Sequence, residues 1–205
     1  MKIKKLISAL VLGSMLVGLS GCNITDFSAE NLLRPPKAVG DEAEIEQLIA
    51  KTADSGYTLK YPKNGKFRSA IIMTDLDGND SNEAVAFFRN SDETSSVHML
   101  VMYSKDNSWE IASDNIFETT DIDSVDFADL TGNGKAEIIV NSTTYTPNVG
   151  KLSCYSYSEG KTNEVGSGQS CSSFVTGDFD NDGTSEIMSL VLYTTENEAL
   201  ASMLD

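Results

Sequence analysis

The sequence predicts an all-β protein made of repeated four-stranded antiparallel sheets, with one short helix ahead of them. Two observations carry that expectation. Three near-copies of one acidic pattern occur: Asp75-Leu-Asp-Gly-Asn-Asp-Ser-Asn-Glu83, Asp129-Leu-Thr-Gly-Asn-Gly-Lys-Ala-Glu137 and Asp178-Phe-Asp-Asn-Asp-Gly-Thr-Ser-Glu186. Their first residues are 54 and 49 positions apart, and a period of about fifty residues marks a repeat architecture. Each copy is also followed by an apolar, β-rich run, namely Ala84 to Phe88, Ile138 to Val140 and Ile187 to Val191.

The chain begins with Lys2, Lys4 and Lys5, then an apolar run from Leu6 to Leu19, then Leu19-Ser-Gly-Cys22. A basic start, a short apolar stretch and a small-residue end describe a secretory signal over residues 1–21 rather than a membrane span. The closing four residues resemble a bacterial lipobox, which implies that Cys22 becomes a lipid-modified first residue. Residues 22–40 are polar and irregular, stiffened by Pro35-Pro36, and read as a tether. A short helix is expected over 41–56. Asp41 and Glu42 suit its amino terminus, Ile45, Leu48 and Ile49 share one face, and Gly56 stops it.

Residues 57–205 hold the repeats. The first repeat offers Ser69–Thr74, the acidic loop, Glu83–Arg89, a period-two run through Val97, Met99, Val101 and Tyr103, and Trp109–Ile116 after the turn at Ser104 to Ser108. The second runs Val125–Leu130, Ala136–Thr143, Leu152–Ser158 and Asn163–Ser170. The third begins with Ser173–Phe179, Ser185–Thr194 and Ala199–Leu204. Four-stranded sheets at this period are the blades of a β-propeller, two complete here and a third begun. Propellers close with four to eight blades, so the sequence is expected to be the front of a longer protein or a truncated frame. Several copies assembling into one ring is the alternative.

The acidic pattern between first and second strands resembles the FG-GAP or VCBS repeat of integrin α-subunit propellers and bacterial surface proteins. The likeness covers roughly residues 66–205, and the amino-terminal layout is similar to VCBS-repeat lipoproteins of Gram-positive bacteria. The resemblance implies one calcium ion per loop, held by side chains at positions one, three, five and nine with a backbone carbonyl at position seven. That assigns Asp178, Asp180, Asp182 and Glu186 in the third loop, and Asp75, Asp77, Asn79 and Glu83 in the first. Asp80 stands where glycine is usual, but aspartate tolerates the left-handed backbone better than most residues. The second loop, with Asp129, Thr131, Asn133 and Glu137, keeps two charges and is expected to bind more weakly.

The residue types support the same reading independently, since hard oxygen ligands converging on a tight loop suit calcium. Metal-free Asp/Asn/Gly turns would explain one copy but not acids at positions one and nine in all three. An EF-hand is excluded because position twelve holds Ala86, Val140 and Ser189 instead of glutamate, and strands flank every loop.

Removing residues 1–21 takes away three lysines and no acid, leaving 12 basic and 31 acidic residues, net −19. Such a surface repels nucleic acid and anionic headgroups. Cys154 and Cys171 sit in strand-like sequence of one repeat; a hairpin turning at Glu159-Gly-Lys pairs Cys154 with a residue near 166, while a cross-sheet bridge stays open. His98, the single histidine, alternates with Leu100 and Met102 and reads as a packed core residue rather than a base. No zinc cluster, nucleophile elbow or phosphate loop is present. Two functions follow: a calcium-stabilised, lipid-anchored binding or scaffold module on the outer face of the bacterial cytoplasmic membrane, or on the outer membrane if the organism has one, with a protein or carbohydrate ligand; or a carbohydrate-active envelope enzyme using carboxylates near the propeller axis.

Overall fold

Acids at the start of an apolar-striped segment, and β-branched runs broken by Asp/Gly turns, dictate one helix and eleven strands among the described residues. The computed structural model describes residues 40–53, 56–144 and 149–192. The signal segment, Cys22, almost all of the tether and the strand expected at Ala199–Leu204 lie outside them. Helix α1 (Asp41–Thr52) follows Gly40, carries Asp41, Glu42 and Glu44 in its first turn and Lys51 in its last, and buries Ile45 and Ile49. Acids at the amino end and a base at the carboxyl end both complement the helix dipole.

Strands β1 (Tyr57–Leu59), β2 (Ile71–Thr74), β3 (Glu83–Asn90), β4 (Val97–Lys105) and β5 (Ser108–Phe117) form the first antiparallel sheet. β1 and β2 share one edge of β3, Leu59 lying opposite Phe88 and Ile71 opposite Ala86. The second sheet runs in chain order through β6 (Ile122–Ala128), β7 (Glu137–Thr143), β8 (Gly150–Ser158) and β9 (Lys161–Cys171), and β10 (Ser173–Gly177) pairs with β11 (Glu186–Leu190). The molecule is therefore all-β, of antiparallel sheets with one short helix. The hairpins β4–β5 and β8–β9 turn on residue pairs with positive φ, Asp106 (51°) and Asn107 (63°), and Glu159 (51°) and Gly160 (73°). That handedness matches the twist of the flanking strands.

Boundaries moved in a few places. The helix ends at Thr52 rather than near 56, and β1 escaped notice because a three-residue strand has too little periodicity to register. Cys154 lies opposite Gly166, as the hairpin arithmetic requires, and Cys171 lies opposite Gly150. Both thiols are free.

The first two sheets each bury apolar residues on two faces, and the β10–β11 pair buries them on one. Ala84, Ala86, Phe88, Leu100, Met102 and Trp109 pack under Ile45 and Ile49 of α1 and Ala53 just after it. The opposite face of the first sheet, with Val85, Phe87, Met99 and Val101, meets Ile122, Val125, Ile138 and Val140 of the second. A smaller cluster joins Ile139, Leu152 and Cys171 to Phe174 and Ile187 of the β10–β11 hairpin.

His98 is buried on the α1 side and stacks on Phe88, with ring centroids 4.8 Å apart. Its Nδ1 lies 2.9 Å from the Asp114 carboxylate and its Nε2 3.0 Å from Glu93. A carboxylate on each ring nitrogen favours the imidazolium, which donates from both. Burial works against that charge, but the bonds to Asp114 and Glu93 outweigh it and hold His98 above the ordinary 6.5. A group raised in the folded state contributes stability that is complete below its unfolded value and lost as pH climbs through the folded one. Denaturant melts should therefore show stability falling as the pH rises above 6.5, and His98→Gln should remove that slope and cost about 1.5–3 kcal/mol at acidic pH. A pH-independent wild type would contradict the charged state.

Candidate metal centre

The three acidic loops fold alike, for reasons visible residue by residue. The strand before each loop and the strand after it meet in one register, Thr74 opposite Glu83, Ala128 opposite Glu137 and Gly177 opposite Glu186. This brings the first and ninth positions together across the loop mouth. Between them the chain turns twice through the left-handed region. The fourth position does so at Gly78 (74°), Gly132 (71°) and Asn181 (63°), and the sixth at Asp80 (64°), Gly134 (79°) and Gly183 (93°). The aspartate at 80 thus takes the conformation its glycine counterparts take.

The first aspartate ties each loop from inside. Asp75 accepts from the backbone N–H of Gly78 at 2.7 Å and of Asp80 at 2.9 Å. Asp129 accepts from Gly134 at 2.7 Å and Asn133 at 3.1 Å, and Asp178 from Gly183 at 2.9 Å and Asp182 at 3.1 Å. The fifth residue accepts from the seventh N–H in all three, through Asn79 and Asn133 at 2.7 and 2.8 Å and Asp182 at 2.8 Å. The ninth residue reaches back to the second N–H. Glu83 binds Leu76, Glu137 binds Leu130 and Glu186 binds Phe179, each at 2.8 Å.

Charge is concentrated where these bonds converge. Carboxylate oxygens of Asp178, Asp180, Asp182 and Glu186 lie within 4.8 Å of one another, as do those of Asp75, Asp77 and Glu83. Either cluster could hold a metal ion. Asn79, at the fifth position of the first loop, turns its amide oxygen to the Ser81 N–H. The second loop brings only Asp129 and Glu137 as charges, with Thr131 and Asn133 between them.

The electrostatics of the first loop are those of a site short of positive charge. Burial raises Glu83, the Leu76 N–H opposes it, and the charges of Asp77 and Asp75 raise it further. Burial and the same carboxylates, Glu83 and Asp77, push the phenol of Tyr157 up to about 12. Oδ1 of Asp77 is buried and accepts no hydrogen bond. A buried carboxylate oxygen without a partner is costly, and a cation coordinated there would satisfy it. Asp75 and Asp129 behave differently. Burial raises each, but several loop N–H groups outweigh it, led by those of Asp80 and Gly134 respectively, so both carboxyls lie below the usual range.

Neighbouring loops touch, which the sequence did not foretell. The Ala136 N–H donates to Leu76 O at 3.0 Å, and the Ser185 N–H to Asp129 O at 2.9 Å. A methyl group on Gly78 would sit 2.7 Å from Gly134 O, and one on Gly132 2.9 Å from Thr184 Oγ1. Glycine at position four thus serves the joint between loops as well as the turn. The glycine spacing in the sequence carried that signal but looked like turn chemistry alone. Gly78→Ala should destabilise the protein more than Gly183→Ala. Both force a side chain into the left-handed region at about 1–2 kcal/mol, but nothing lies within 4 Å of a methyl on Gly183. Thermal melts of the two variants compare the costs, and equal losses would remove the joint between loops. Set against protein-family models, curated proteins and solved structures, the chain matches none.

Proposed function

We propose that this chain is a calcium-stabilised, lipid-anchored binding or scaffold module of the bacterial cell envelope, its sheets being blades of the β-propeller type. The observation that carries the reading is one loop geometry repeated three times, with four carboxylates gathered in the third copy and three in the first. The buried Asp77 oxygen without a hydrogen-bond donor supports it. Carboxylate and amide oxygens on a compact loop suit a hard cation that takes six to eight oxygen ligands, and calcium neutralises the mutual repulsion of acids so gathered. Asp178, Asp180, Asp182 and Glu186 would hold one ion, and Asp75, Asp77, Asn79 and Glu83 another. The second loop, whose charges are Asp129 and Glu137 alone, would hold an ion more weakly through them with Thr131 and Asn133. The proposed anchor is a lipid on Cys22, the location the outer face of the cytoplasmic membrane, and the partner a protein or carbohydrate.

A cation that binds only the folded chain stabilises it by about 2.7 kcal/mol at a hundred times its dissociation constant. Chelation should therefore lower the melting temperature, and restoring calcium should recover it while magnesium recovers less. Asp180→Asn or Asp182→Asn should remove most of this response, and Asp129→Asn much less. A melting curve indifferent to chelator and to excess calcium would reject metal binding. For the anchor, Cys22→Ala should move the protein from the detergent phase to the aqueous phase in phase separation. Wild type already in the aqueous phase would reject it.

A further inference from the structure

The three sheets present their faces in a fixed order. Counting from the ninth loop position, the residue one place on packs toward the element that precedes the sheet in all three, joined in the first two by the residue three places on, and there the residue two places on packs toward the sheet that follows. Ile138 and Val140 pack on the first sheet, and Ile187 joins the cluster with the second. Val85 and Ile139, two places on, are fully buried against the next sheet, whereas their counterpart Met188 is 58% exposed. Val175, directly across from Met188, is 54% exposed, and Leu190 56%. At the other end, Ala84 and Ala86 face a preceding neighbour that is not a sheet at all. It is α1, with Ile45 and Ile49.

We propose that α1 is an end cap seated where a preceding sheet would sit, and that the face it covers otherwise docks the exposed Val175–Met188–Leu190 face of a second copy. Both halves of that joint are built from the positions that form the two internal joints. The covered face offers small alanines with Phe88, Leu100 and Met102 beside them, and the open face offers Val175, Met188 and Leu190, so apolar surface meets apolar surface in the order already used twice. With α1 seated, head-to-tail addition is blocked at one end of every copy. This follows from the order of the faces and needs no metal.

The test releases the cap in the full chain. Ile45→Asp with Ile49→Asp should give concentration-dependent oligomers in sedimentation velocity, with an association midpoint at least about tenfold lower than wild type. Adding Met188→Lys and Leu190→Lys should return the released chain to monomer, and a synthetic peptide of residues 40–53 should do so in competition. A released chain that keeps its β-sheet circular dichroism and stays monomeric overturns the proposal. Oligomers that survive Met188→Lys and Leu190→Lys also overturn it, since the Val175–Met188–Leu190 face would not be what joins them. If the double aspartate variant loses its sheet signal, Ile49→Ala decides. Association reversed by Met188→Lys supports the cap, and a monomer at every concentration overturns it.

Discussion

A sheet that is apolar on both faces cannot stand in water, and this constraint organises the whole chain. Fully burying one large aliphatic or aromatic side chain is worth about 1.5–3 kcal/mol, and the first sheet alone hides Phe87, Phe88, Leu100 and Met102. Both faces of the first two sheets find a cover, so sheets stack in chain order with stability shared between neighbours. The helix enters this scheme as one more cover. Its apolar stripe is narrow, yet it lies over the alanines of β3, where small residues let it sit close to the sheet.

The loops add a second, polar tier of order at one end of each sheet. Their carboxylates bond backbone N–H groups that a tight turn leaves without partners, so the acids shape the loop as well as charging it. Glu83 and Glu137 show the arrangement best. Each is buried at the start of a strand, and each spends one oxygen on the N–H at the second loop position. Where a third and fourth carboxylate join, at Asp180 and Asp182, they too accept loop N–H groups, and four negative charges gather in one loop.

Much of this was legible in the sequence. The nine-residue spacing fixed which oxygens converge, and alternation through Val97, Met99 and Val101 fixed the faces of β4. Local chemistry decides such features, so local reading finds them. The partners of His98 were not legible, because Glu93 and Asp114 reach it from a turn and a neighbouring strand. Nor were the contacts of Gly78 with Gly134 and of Gly132 with Thr184, which join residues about fifty positions apart. The short β1 was hidden for another reason. It borrows its order from the edge of β3 rather than from any pattern of its own.

The inward-facing carboxylate at the first position of each loop bears on kinetics. Asp75, Asp129 and Asp178 close their loops through backbone bonds formed by the chain itself. A cation arriving at such a loop has no turn to fold and no backbone to order, so entry resembles the loss of water from the ion more than a conformational step. Were ions to occupy the loops as proposed, the number of carboxylates would set how long each one stayed. On that scale the four-carboxylate loop would be the slow clock of the three, and the loop of Asp129 and Glu137 the fast one.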